Sequence, residues 1–125
     1  MTWIHFSIVG ALYCGLAVGF GAFGAHALKN MLSEYALGVF ETGVKYQFYH
    51  GLALLNLGFL ASRLEGTSLQ VAGYSFIGGV IIFSGSLYTL SLTGHKWLGA
   101  ITPLGGALFI VGWVSLIFAL AAKTS

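Results

Sequence analysis

The sequence predicts an all-α membrane protein: an antiparallel bundle of four transmembrane helices, with an interfacial amphipathic helix between spans 1 and 2. Three observations carry this. The 125 residues are 58% hydrophobic and only 6% charged, against about 25% charged in a typical soluble domain. Five basic and three acidic residues cannot cover the outside of a soluble fold of this size. The charges also fall between four apolar runs instead of being spread along the chain.

The first run covers residues 3–27. At a rise of about 1.5 Å per residue, roughly 20 residues cross a hydrocarbon core of about 30 Å, so this run is long enough. No Lys or Arg precedes it, and it exceeds the apolar core of a signal peptide, about 7–15 residues. It is therefore expected to be a retained first helix. Residues 31–45 differ in character. Glu34, Gly38, Glu41 and Lys45 share one helical stripe, and Leu32, Tyr35, Ala36, Val39 and Phe40 lie largely opposite, which predicts an amphipathic helix at the membrane interface. Glu41 precedes Lys45 by four residues, the favourable order for a helical ion pair.

The second span, residues 46–62, is short unless it borrows a turn from the preceding segment, with Lys45 snorkelling to the surface. The third and fourth, 71–92 and 98–122, are long enough without help. All are too long and too evenly apolar for membrane strands, which need about 10 alternating residues. Helices also satisfy their own backbone groups where there is no water. Short loops around Arg63 to Ser68 and Thr93 to Lys96 make neighbouring spans antiparallel. Residues 1–125 thus form a single transmembrane domain. Trp3, Tyr46, Tyr74 and Trp97 lie near span ends, as an aromatic belt requires, and Trp113 is expected to pack inside. Lys29, Lys45 and Lys96 on one side against Arg63 and Lys123 on the other lean toward cytoplasmic first and third loops. So small a bias also suits insertion in both orientations.

Several function classes are excluded or disfavoured. The net charge of +2 comes from scattered residues without a basic run, so no nucleic-acid partner is expected. The single Cys14 cannot form an internal disulfide and reads as a small core residue. No cofactor is expected. His26, His50 and Glu41 are the one conceivable metal set, but they lack a recognised ligand spacing, so no metal is expected either. Ser84 and Ser86 have no base held by a third group, which disfavours a serine nucleophile. All three acids, Glu34, Glu41 and Glu65, sit outside the spans or at their edges, which argues against a proton-coupled exporter.

Polar residues inside lipid must find partners or a watery cavity. The densest set is Lys45, Tyr46, Gln47, Tyr49, His50 and Asn56. Gln47 and His50 share a face one turn apart. They are able to bind a headgroup, relay a proton or ligate a metal; the structural alternative is interhelical glue. His26 ends the first span and is expected to approach His50 if the amphipathic helix folds back. Gly15, Gly19 and Gly24 are expected to admit another helix closely, with Gly15 and Gly19 in a small-xxx-small spacing. Pro103 is harmless in a first helical turn and would kink a deeper one, with Gly105 and Gly106 then giving close packing or a small cavity.

Four stretches together form a pattern: Gly21-Ala22-Phe23-Gly24-Ala25-His26-Ala27-Leu28, Tyr46-Gln47-Phe48-Tyr49-His50, Phe83-Ser84-Gly85-Ser86-Leu87-Tyr88, and Ile101-Thr102-Pro103-Leu104-Gly105-Gly106 followed by Gly112-Trp113. In this order and over nearly the whole chain, they resemble the YgdD/YwdK family of small membrane proteins, a domain of unknown function. The resemblance implies a bacterial inner-membrane, multi-pass protein with no assigned reaction and no catalytic residues to carry over. His26, Tyr46, Gln47, His50, Ser86, Tyr88 and Pro103 match its motifs. With Glu41 and Lys45 they are the candidate binding residues. The expected partners are membrane lipids, other membrane proteins or a second copy, and the expected role is binding without catalysis. The alternative is a small transporter or channel with a polar path near His26 and His50.

Overall fold

The computed structural model describes residues 3–64 and 66–124. Four long helices follow one another: α1 (Trp3–His26), α2 (Glu34–Leu60), α3 (Thr67–Thr93) and α4 (Thr102–Ala121). Short 3-10 turns at Leu28–Asn30, Lys96–Ala100 and Ala122–Thr124 complete the described chain. Among the described residues, three stretches are long and apolar enough to cross a membrane: Trp3–His26, Thr67–Thr93 and Lys96–Ala121. The exception is α2, which carries Glu34, Glu41, Lys45, Gln47, His50 and Asn56 along its length.

The largest difference from the sequence reading lies in α2. Residues 31–45 and 46–62 were expected as an interfacial helix and a separate short span; they form one continuous helix of 27 residues. No Pro, and no left-handed Gly, interrupts α2. The amphipathic stripe and the apolar run after it share one helical period, so the ladder simply continues. The helix starts where it does because the Ser33 hydroxyl accepts from the Ala36 N–H at 3.1 Å. Glu34 then adds a negative charge at the positive end of the helix dipole.

Gly66 (φ 117°) leads into α3, and Gly94 (φ 75°) ends it in a left-handed cap whose N–H donates to Leu90 O at 2.8 Å. Pro103 falls in the first turn of α4, where its missing N–H costs nothing. It therefore produces no kink.

Sequential helices pack antiparallel, and the pairing along α1 and α2 can be read residue by residue. Ser7 lies against Gly58, Gly10 against Gly51 and Leu54, Cys14 against Gly51, Gly21 against Val44 and Gly24 against Phe40. The buried side of α1 is Phe6, Ser7, Gly10, Ala17 and Gly24, a spacing of about 3.5 residues. Gly15 and Gly19 fall on the other side and have nothing within 4 Å of where a Cβ would stand. Of the three glycines expected to admit a helix, only Gly24 does so within this chain. Between α3 and α4, Gly105 sits against the Phe83 backbone and Gly112 against the Phe76 ring. The core gathers Phe6, Leu54, Leu57, Ala72, Phe76, Val80 and Phe109 from all four helices. Small residues let helices meet at backbone distance, which is how membrane helices gain packing without a hydrophobic drive.

Candidate functional site

The polar residues singled out from sequence separate into an inner group and an outer one. Gln47, His50 and Ser86 are buried and Tyr88 is half-buried. His26, Glu41, Lys45, Tyr46 and Pro103 are exposed.

Gln47 stands where α1, α2 and α3 meet. Its amide Nε2 donates to Tyr13 O at 2.9 Å, and its Oε1 accepts from the Tyr88 hydroxyl at 2.6 Å. The Tyr13 hydroxyl in turn donates to Ile77 O on α3 at 3.0 Å. One amide therefore ties three helices together. The Tyr88 ring is held between Phe20 and Phe40, at centroid distances of 5.4 and 5.0 Å.

One turn further along α2, His50 links to α4. Its Nδ1 lies 2.8 Å from Tyr46 O, and its Nε2 accepts from the Trp113 indole N–H at 3.0 Å. A carbonyl only accepts and an indole N–H only donates. The ring must therefore be neutral, with its proton on Nδ1, and both nitrogens are occupied. It stacks on Phe109 with centroids 3.7 Å apart and planes within 9°, and meets Phe76 at 5.3 Å. An imidazole so engaged has no lone pair left for a metal.

Three serine hydroxyls also bridge helices, whereas Ser91 bonds back to Tyr88 O on its own helix. Ser84 donates to Gly43 O at 2.6 Å, and Ser7 to Leu55 O at 3.1 Å. Ser86 lies 2.6 Å from the Thr102 hydroxyl and 2.9 Å from Phe83 O. Among the described residues no buried side-chain nitrogen or oxygen lacks a hydrogen-bond partner, and no three His, Cys, Asp or Glu side chains converge as a metal site would require.

The expected meeting of His26 and His50 does not occur. Gly51 packs against Cys14, whereas His26 closes α1 about twelve residues further on, a separation of about 18 Å along the axis. Folding the 31–45 segment back would have joined them; its continuity with α2 keeps them apart. Tyr13 and Trp113, which complete the two networks, were not among the sequence candidates; Trp113 was expected to pack inside, yet it is 43% exposed and only its indole N–H reaches inward to His50. Their signal was present, since a phenol or indole inside a membrane helix needs a polar partner. The identity of that partner was not readable from spacing.

The outer group lies toward the end of the molecule holding the α1–α2 and α3–α4 connections. Glu41 and Lys45 are one turn apart on α2. Lys45 lines a shallow groove between α1 and α2 with Ala17, Gly21, Val44, Phe48 and Tyr49.

Apolar helices joined by interior polar groups that pair with one another define a helical membrane protein. The chain belongs to the DUF423 family, described as a protein of unknown function, whose family model matches residues 20–106. It is 53% identical over 116 residues to a UPF0382 membrane protein of Staphylococcus aureus, covering 91% of this chain and 93% of that one. It is 49% identical over 115 residues to the UPF0382 membrane protein YwdK of Bacillus subtilis, covering 91% and 94%. A UPF0382 membrane protein of Staphylococcus saprophyticus is 51% identical over 114 residues, covering 90% and 92%. The family resemblance carried by the four motifs is thereby upheld. No solved structure matches the chain.

Proposed function

We propose that this chain is a four-span protein of the bacterial inner membrane that holds membrane lipid, or a partner membrane protein, at its outer faces without catalysing a reaction. The observation that carries the reading is the closed interior. Each buried polar side chain in the described residues already has a partner, so the inner network is occupied in joining helices and the chemistry left over is on the outside.

The four-span reading draws support from the register of α2. Residues 40–58 of α2 pair with residues 24–7 of α1, so α2 runs at the same depth as a helix long and apolar enough to cross. Its polar side chains Gln47 and His50 face neighbouring helices and are 3% and 4% exposed. Averaging hydropathy over all residues counts such buried groups as if lipid saw them. Only Glu34 to about Leu37 extend past the end of α1, which supports an interfacial first turn on a spanning helix.

Purification in mild detergent followed by mass spectrometry of co-purifying lipids and proteins tests the function. Specific retention of a lipid class or a protein is the expected result. Loss of every lipid and protein would overturn the reading, and solute or ion flux when the chain is reconstituted into liposomes would then favour a transporter or channel.

A further inference from the structure

We propose that the groove between α1 and α2 is a site for one zwitterionic aminophospholipid, with an acyl chain along the groove, the phosphate on Lys45 and the ammonium on Glu41. This rests on the lipid-holding reading above and names the lipid.

The groove is shaped by small residues. Ala17 and Gly21 of α1 face Val44 and Phe48 of α2, and a Cβ on Gly21 would come no nearer than 3.5 Å to Val44. Its volume is about 320 Å³, at the low end of ligand sites, about 300–1,000 Å³. That suits a segment of one hydrocarbon chain and not a whole lipid. The lining is apolar except for Lys45 and the phenol of Tyr49.

Depth decides the headgroup. The 24 residues of α1 span about 36 Å, so each end overhangs a core of about 30 Å by roughly 3 Å. Val44 is level with Gly21, and Phe40 with Gly24. Lys45 therefore starts about 6 Å inside the boundary and Glu41 close to it. An ammonium inside lipid is costly, and a lysine there extends to the interface, where phosphates lie. Basic residues beside grooves between membrane helices bind lipid headgroups for this reason.

Glu41 supplies the discrimination. It stands one turn nearer to water than Lys45, on the same face, with Cβ atoms about 5–6 Å apart. In an ethanolamine headgroup the phosphate is the inner charge and the ammonium the outer one, two carbons away. The order of charges along α2 is its complement. An anionic glycerol headgroup would satisfy Lys45 and meet repulsion from Glu41.

Native mass spectrometry of the full chain with phosphatidylethanolamine, phosphatidylglycerol and phosphatidylcholine of identical acyl chains tests the site. The native chain is expected to retain phosphatidylethanolamine over phosphatidylglycerol by about threefold or more, the scale of one exposed charge contact. Lys45→Gln is expected to lower retention of both lipids. Glu41→Gln is expected to remove the preference by raising phosphatidylglycerol, and Gly21→Leu to lower all three by filling the groove. Unchanged circular dichroism and melting of each variant would show that the fold is kept. Equal retention of the two lipids, a preference for phosphatidylglycerol, or Lys45→Gln behaving as native would overturn this site. In those cases the broader lipid-holding reading survives if lipid is still retained; it fails only if no phospholipid and no protein stays bound.

Discussion

Replacing Gly10 by alanine adds one methyl group where α1 and α2 meet backbone to backbone. The new Cβ would stand 2.6 Å from both Gly51 O and Leu55 N, well short of the 3.4–4 Å of ordinary contact. These are backbone atoms of a helix, so no side-chain rotation relieves the overlap and the helices must separate locally. Overpacking of this kind costs about 1–3 kcal/mol. Moving the helices apart also disturbs the Ser7 to Leu55 bond at 3.1 Å, which places the expectation in the upper half of that range. Gly15→Ala, a little over one turn along the same helix, is the matched control. Nothing lies within 4 Å of its Cβ position, and alanine favours a helix by up to about 1 kcal/mol over glycine. Equilibrium unfolding in mixed micelles with increasing dodecyl sulfate, followed by circular dichroism, measures both. Gly10→Ala is expected to be about 2–3 kcal/mol less stable and Gly15→Ala unchanged or slightly more stable. The packing register of α1 on α2 would be wrong if the two variants lost the same stability, or if Gly15→Ala lost more.

The two inner networks give further expectations. Nitrogen NMR of labelled histidine should find His50 neutral at pH 7, with the proton on Nδ1 and Nε2 accepting; a dominant Nε2–H form would contradict the Trp113 bond at 3.0 Å. A double-mutant cycle of Gln47→Leu and Tyr88→Phe should show coupling of about 0.6 kcal/mol, reaching up to about 1.7. Strict additivity of the two changes would deny their 2.6 Å contact. Gly94→Ala places a side chain at φ 75° and should cost about 1–2 kcal/mol in the same unfolding assay, whereas Gly85→Ala, with open space around it, should cost nothing.

Much of the fold was legible because lipid imposes simple constraints. Continuous apolar runs with no charges had to be helical, and α1 and α3 begin and end close to where those runs do. Sequence and structure part over the meaning of a charge. Glu34, Glu41 and Lys45 read as the marks of a separate surface helix, because a charge in a sequence does not reveal how far its side chain reaches. The same residues sit on a helix that continues without a break to Leu60.

The glycines make a similar point. The Gly15 to Gly19 spacing is a known signature of helix contact, and Gly10 belongs to a different one, the seven-residue repeat Gly10, Ala17 and Gly24. Yet Gly10 is the buried one, because the face of α1 that meets α2 is set by where Phe6, Ala17 and Gly24 can be covered together. A pattern in one helix cannot name the face until the neighbouring helix supplies its own small residues, here Gly51 and Gly58.

For the candidate residues, composition alone could say that Gln47, His50, Ser86 and Tyr88 need partners in lipid. Choosing the partners required the third dimension. Tyr13 is 34 positions from Gln47 and Trp113 is 63 from His50, distances along the chain that no local period spans. The sequence by itself determined that this is a helical membrane protein, because hydrocarbon leaves the backbone no other way to bond. The tertiary structure decided that its interior polar groups are joined to one another and that its charged pair on α2 faces outward. Hydrogen bonds between helices depend on depth and rotation about each axis, and only packing fixes those.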